Sequence, residues 1–544
     1  MKRLLFLIHR WAGVALALFM TLWFFSGLVI LYSVQMNQNR TQQLAHAEPL
    51  LAEAGWLSLG EAWERSATER KNAAAPAKPA SAAPEAGRAP AKRVENTITE
   101  ARLLRRAGQP QWLVEDTAGK RFSISALDGS LQDISAETAS RVAEQWVKTG
   151  EAGSQAAPVR FLETTDKPTI IRNQDALRPF HHFAVDDGSG SELYVSTKSG
   201  EIVHASTRIE RGLYWAGNWL HFFRFIDLTG AGESRAEILM WSVIAAFVAC
   251  LTGLIVGWLR WRPGLFGKAT YAEGRVHPYK AFWFRWHFWA GLIGGSFAFA
   301  WALSGFVNGN TWKLFTPANP SREELVRYYG NGLPAAARDW KPVALAGEAG
   351  DAVELTWHRL GGQAVLLAYD RNGNRHQLNA ATGGFGNVAL VDAAKRVVGD
   401  KFNATQSLLT EYDSYYYSRP GRGIANRPLP VVRVDLDDAD ATRFYIDPQD
   451  GRLLLRQDDG RRVYRWLFNA LHHWDIGFLQ VRPFWDAWML LWIGFGLVLS
   501  VSSLFIGWKR LKVTFRPKNK KRAAPAATPQ LELEPALATE KQGN

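Results

Sequence analysis

Residues 9–27 read HRWAGVALALFMTLWFFSG, and residues 287–305 read HFWAGLIGGSFAFAWALSG. Each is an apolar run close to the roughly 20 residues that cross a bilayer as a helix, opening on a histidine and closing on Ser-Gly. His9, Trp11, Ala12, Gly13, Ser26 and Gly27 recur as His287, Trp289, Ala290, Gly291, Ser304 and Gly305, always 278 positions later. Two more runs of spanning length bring the predicted total to four: Trp11–Val34, Glu237–Trp258, Trp283–Val307 and Phe484–Trp508. The first exceeds the roughly 7–15 apolar residues of a signal core and lacks a small-x-small site after it. It reads as a retained anchor.

A second register links the remaining sequence. Tyr194-Val195, Trp215 and Leu220-His221 return as Tyr445-Ile446, Trp466 and Leu471-His472, each 251 positions later. The smaller offset implies extra residues in the first half, and an Ala/Pro/Lys-rich tract at 66–93 has the composition of a disordered insert. The expected fold is therefore a membrane α-helical protein with an internal duplication of span, soluble α+β domain and span. Its expected segments are a span in 1–34, a soluble domain 35–236, a span 237–259, a loop 260–282, a span 283–307, a second domain 308–483, a span 484–508 and a basic tail 509–544.

Net charge of +13 in 544 residues resembles a nucleic-acid signature until it is mapped. Eighteen basic residues, among them Lys2, Arg3, Arg10, Arg260, Arg262, Lys509 and Arg510, lie before the first span, between the second and third, and after the fourth. Only Glu273, Glu532, Glu534 and Glu540 oppose them there, so the rest of the chain sums to −1. This is the positive-inside pattern. It predicts a multi-pass membrane protein with both termini cytoplasmic, lipid around its spans and no nucleic-acid partner. Cys250, the sole cysteine, excludes an intrachain disulfide or a thiolate cluster.

Periodicity predicts a helix over Ser135–Lys148 and strands at Phe180–Val185 and Glu192–Ser196, turning at Lys198-Ser199-Gly200. An earlier copy places a helix near Leu57–Ala67 and strands at Gln111–Glu115 and Arg121–Ser125. The second half offers strands Ala364–Tyr369, Arg375–Leu378, Val431–Asp435 and Thr442–Ile446 around a helix Leu390–Val398.

Of 12 histidines, His9 and His287 occupy equivalent ends of the first and third spans, while His221 and His472 precede the second and fourth. His473 adjoins the last. Two imidazoles on facing helices are what an axially coordinated haem iron needs. Gly13 and Gly291 follow His9 and His287 by four residues, on the same helix face, where a missing side chain leaves room for a flat ring. Interfacial anchoring accounts for any single histidine, and helix packing for Gly291 with Gly295. The two symmetric pairs favour haem-iron ligation by His9, His287, His221 and His472. Zinc or copper is disfavoured, since no third ligand completes either pair. Trp219, Phe222, Phe223, Trp474, Phe288 and Trp289 lie nearby and read as an interfacial aromatic belt. Tyr415, Tyr416, Tyr417, Arg419 and Arg422 form a tract without a first-half counterpart. It reads either as a loop packed on a sheet edge or as a cradle for an anionic chelate. His181-His182 leaves a weak metal site open.

The opening LIHRWAGVALALFMTLWFFSGLVILY, the tract DSYYYSRPGR before LPVVRVDLDD, the strand-turn TRFYIDPQDGRLL and LHHWDIG resemble the PepSY-associated transmembrane family. That family includes iron-regulated bacterial inner-membrane proteins and ferric-siderophore reductases. The resemblance spans nearly everything but the insert and tail. It implies periplasmic PepSY-like domains, two b-type haems held by bis-histidine ligation, and electrons passed from the cytoplasmic side to a periplasmic ferric siderophore. Some relatives carry a fused flavin reductase, and the short tail here implies a separate cytoplasmic or quinol electron donor. The expected function is thus a haem-dependent ferric-siderophore reductase. The alternative is a non-redox PepSY protein regulating a periplasmic enzyme or assembly. A permease ranks last, because the spans offer few polar groups at mid-depth.

Overall fold

In a bilayer the backbone must satisfy its own hydrogen bonds, so apolar runs of this length fold as helices. In the computed structural model three run unbroken, as Lys2–Ile30, Arg235–Arg260 and Phe484–Thr514. The structure describes residues 2–515 except 34–35, 52, 54, 75–97, 117–118, 151–156, 167–169, 172–173, 266, 311, 318, 346–349, 379–384 and 420–426. The third run departs from the expected straight span. It consists of Phe282–Ile293 and Gly295–Gly309, bent by 61°. A side chain at Gly294 would place its Cβ 2.6 Å from Phe495 Cβ, so this close approach to the fourth span requires glycine. The first arm packs on the fourth span and the second arm on the second span. The chain is a multi-pass membrane protein with α+β domains.

Outside the apolar runs the described residues include fourteen strands: β1 (Ile98–Arg106), β2 (Gln109–Asp116), β3 (Arg121–Ser125), β4 (Val159–Thr165), β5 (Phe180–Val185), β6 (Glu192–Ser196), β7 (Ile202–Ser206), β8 (Glu354–Leu360), β9 (Gln363–Tyr369), β10 (Arg375–Leu378), β11 (Ala404–Leu409), β12 (Val431–Leu436), β13 (Arg443–Ile446) and β14 (Leu453–Gln457). β4–β7 and β11–β14 each form a four-stranded antiparallel sheet in sequence order. Helix Ala136–Gly150 packs Ala139 and Ala143 against Phe183 and Val195, and helix Asn387–Val398 packs Leu390 and Ala394 against Val434 and Phe444.

The other six strands do not divide between two domains. They form one sheet in the order β10-β9-β8-β1-β2-β3, in which β1 pairs antiparallel with β8, Ala101 opposite Trp357. The soluble segments 35–236 and 308–483 are therefore fastened together by backbone hydrogen bonds. Sequence reading passes over β1 and β8 because charges interrupt their apolar pattern. Arg102 and Glu354 are buried there and lie 3.7 Å apart. β4 and β11 are edge strands with mostly exposed side chains, so they too lack a burial signal. Of the expected insert, Ala67–Ala74 is helical and 75–93 lies outside the described residues.

Glu201, at the entry to β7, ties the first four-stranded sheet to this shared sheet through Arg102, 2.8 Å away. Burial opposes its charge, but Arg102 and Arg121 hold its carboxyl down at about 2, against 4.5 when free. A carboxylate depressed on folding contributes stability above its free pKa, and that contribution is lost as pH falls through the folded value. At roughly 1.4 kcal/mol per pKa unit, the contribution is on the order of 3 kcal/mol. Between pH 4.5 and 2, acid unfolding followed by tryptophan fluorescence should be steep in the native chain and flatter in Glu201→Gln. Identical profiles would remove Glu201 as the cause.

Candidate functional site

His9 and His287 lie on different helices, yet their ring centroids are 6.2 Å apart. His221 and His472 meet likewise at 6.5 Å, with the rings 84° apart. Each couple joins one histidine from each half of the chain. An atom held at about 2.0–2.1 Å by a nitrogen of each ring puts imidazole centroids about 6 Å apart. Both couples thus have the spacing of two axial ligands on one metal.

The hydrogen bonds select which nitrogen is offered. His9 Nδ1 donates to the Ala249 carbonyl at 3.2 Å. His221 Nδ1 lies 3.0 Å from Ser26 Oγ, whose own hydroxyl donates to the Trp23 carbonyl. His472 Nδ1 lies 3.0 Å from Ser304 Oγ, whose hydroxyl donates to the Trp301 carbonyl. With each serine proton committed, the imidazole Nδ1–H must be the donor. His287 Nδ1 follows the same logic at Ser502 and Ser503, both of which donate to the Leu499 carbonyl. Among the described residues no hydrogen bond takes up Nε2 of any of the four. A donor on Nδ1 leaves an unprotonated Nε2, the ligating form, and fixes the ring's direction.

Around the first couple is a cavity of about 530 Å³, within the roughly 300–1,000 Å³ of small-molecule and cofactor sites. Gly13, Gly253, Gly257, Gly291, Gly295 and Gly507 line it. A Cβ on Gly253 would sit 2.8 Å from His9 Cε1, while one on Gly13 would meet nothing within 4 Å. The two glycines read from sequence are accordingly joined by four from elsewhere. Arg10, Arg260, Lys509 and Arg510 also line the cavity. The basic residues of the predicted positive-inside pattern therefore also face this cavity. The donor set, glycine walls and cationic lining fit a haem with two propionates.

The second couple rests on matched local structure. Trp23 Nε1 donates to the His221 carbonyl at 3.1 Å and Trp301 Nε1 to the His472 carbonyl at 3.0 Å. These tryptophans share the 278-residue offset, a signal the sequence offered and the motif reading missed. The turns before both histidines are π-helical, Trp215–Trp219 and Arg465–Ala470, a distortion frequent at functional sites. Two residues after each histidine the chain enters the left-handed region, at Phe223 (φ 52°) and Trp474 (φ 53°). His472 faces His221, whereas His473 packs edge-on against Phe468. Phe223 stacks on Trp23, Trp474 lies against Phe297, and Phe288 and Trp289 pack on His277.

The tyrosine–arginine tract faces inward. Tyr416, Tyr417 and Arg419 are buried. Tyr417 OH and Arg419 both engage the fully buried Asp475, three residues after His472, and Arg465 holds its other oxygen at 2.8 Å. Tyr415 is half-buried beside Trp466, and Arg422 lies outside the described residues. Tyr417 and Arg419 thereby brace the segment that follows His472. His181 binds the Ile134 carbonyl and Thr164, while His182 turns to Glu192. No cluster of three or more His, Cys, Asp or Glu side chains suited to a metal ion occurs among the described residues.

A family model described as the PepSY-associated TM region matches residues 6–402. No curated protein matches the chain.

Proposed function

The chain belongs to the PepSY-associated transmembrane family, and from that premise we propose that it is a two-haem oxidoreductase of the bacterial inner membrane, carrying electrons outward to a ferric siderophore. The two halves are read as a duplication, the basic face as cytoplasmic and the sheets as periplasmic. The observation that carries the reading is the spacing of the imidazole couples, 6.2 and 6.5 Å between centroids, with Nδ1 engaged at all four rings.

Bound b-type haem supplies one-electron exchange at iron. The residues do the rest. His9 and His287 hold the group near the basic face, and His221 and His472 hold the one near the sheets. Ser26 and Ser304 each sit 17 residues beyond His9 and His287 in sequence. On the first span that is about 25 Å of helix rise, which sets the two levels apart. Between them, Phe24 lines the first cavity and packs edge-on against Trp301, ring centroids 5.8 Å apart. Trp301 in turn donates to the His472 carbonyl. Arg10, Arg260, Lys509 and Arg510 balance the propionates. A separate cytoplasmic protein or quinol supplies the electrons. The ferric chelate is the substrate, and its one-electron reduction leaves Fe(II), a poorer match for hard oxygen donors, so the iron is released.

A dithionite-reduced minus oxidised spectrum of the purified full chain should show a haem-b α band. Its absence after haem-replete expression would overturn the reading and favour a non-redox PepSY protein that regulates a partner.

A further inference from the structure

Away from the spans, a cavity of about 750 Å³ opens between the six-stranded sheet and the β11–β14 sheet. Six arginines line it: Arg40, Arg322, Arg359, Arg375, Arg427 and Arg452. Its carboxylates are engaged, apart from one oxygen of Asp116. Glu100 pairs with Arg102 at 3.3 Å, Glu115 with Arg121 at 2.9 Å, and Asp450 with Arg375 and Arg452 at 2.5 and 2.6 Å. Asp116 accepts the backbone N–H of Lys120.

Three of the cations have no acid beside them among the described residues; Arg322 is exposed, while Arg359 is buried and Arg427 half-buried. Arg359, 6 % exposed, donates only to the backbone carbonyls of Thr99 and Gly330 and lies over the Tyr329 ring. Arg427 donates to the Leu454 carbonyl and lies over Tyr416. Burial draws the Arg359 guanidinium down to about 10, which leaves it charged at neutral pH. A buried cation without a counter-charge is costly, and folding alone supplies no reason to keep two in one cavity. The cavity therefore offers two guanidinium groups without an acid partner, beside Tyr329 and Tyr369.

We propose that this cavity binds a small polyanion whose charge is carried on carboxylate or phenolate oxygens, with Arg359 and Arg427 as its counter-ions. Guanidinium forks match such oxygens in pairs. The proposal stands on the cavity and does not depend on the haem assignment. Where the anion carries Fe(III), the cavity is the receiving site for the substrate of the proposed activity. Where it does not, the cavity is an effector site.

The test uses the full chain in nanodiscs, titrated with citrate, with ferric citrate and with 2,3-dihydroxybenzoate, read by tryptophan fluorescence and calorimetry. Saturable binding of at least one probe is expected, weakening with added salt. It should fall roughly tenfold or more in Arg359→Gln and in Arg427→Gln, the range for lost hydrogen bonds to a charged group. Arg427→Gln guards against a folding defect in the more deeply buried Arg359→Gln, and a melting curve accompanies both. Tighter binding of the iron-loaded probe identifies a substrate site and equal binding an effector site; either supports the proposal. No saturable binding of any probe, or binding unchanged in both variants, overturns it. Loss of haem from the preparation leaves this readout intact, so failure here and failure of the redox reading are separable.

Discussion

Purified protein carrying His287→Ala is expected to hold one haem per chain instead of two, halving the pyridine haemochrome signal. His9→Ala should do the same, because the two rings form one couple at 6.2 Å. His221→Ala or His472→Ala should remove the other haem and leave the first. Combining His287→Ala with His221→Ala should leave none. His473→Ala is expected to retain both, since its ring packs on Phe468 while His472 faces His221. Independent loss follows from geometry: the couples belong to different levels of the bundle and share no ligand. A single substitution that empties both sites, or neither, would contradict the pairing.

The second large effect concerns Asp475, whose carboxylate is fully buried between Arg419 and Arg465. Arg465 also donates to the Asp475 and Ser414 carbonyls, which fastens both ends of the π-helical turn carrying His472. Removing one member of such a group strands the opposite charges away from water, at about 3–5 kcal/mol. Asp475→Ala should therefore lower the melting temperature markedly, and Asp475→Asn, which keeps a hydrogen-bonding oxygen, should lower it less. Because the brace holds a histidine, stability is not its only readout. In a His287→Ala background the midpoint potential of the remaining haem should shift on Asp475→Asn. In a His221→Ala background it should not. Equal shifts would assign Asp475 a purely structural part. The first half relies on more exposed pairs, Asp227 with Arg224 and Arg235, which contribute little by comparison.

Much of this was legible in the sequence for one physical reason. A polar residue at the edge of an apolar run is conspicuous, and duplicated spacing lifts four histidines above the background of interfacial side chains. Strands whose faces alternate, such as Phe180–Val185 and Arg121–Ser125, were equally plain and occur at those bounds. What stayed hidden depends on contacts between distant residues. His472 and His473 are neighbours on one turn, and only the position of His221 distinguishes them. Gly291 and Gly295 read as packing residues, and nothing in the sequence singles out Gly294, where close contact with Phe495 accompanies the bend. The arginines of the soluble cavity are spread from Arg40 to Arg452, so no local window collects them. The tyrosine tract left two readings open, because aromatic and cationic residues suit a ligand and a buried brace equally well, and its contact with Asp475, some 58 positions from Tyr417, lies beyond any local window.

The seam between β1 and β8 has a consequence for any attempt to cut the protein in two. A polypeptide ending before the third span would keep β1, β2 and β3 but leave one flank of β1 bare, its amide and carbonyl groups facing solvent. Such a flank seeks another strand. The nearest suitable one is the same segment of a second molecule, running the opposite way. A severed half would thus be driven to twin with itself, and in doing so would bring two copies of His9 and two of His221 toward one another.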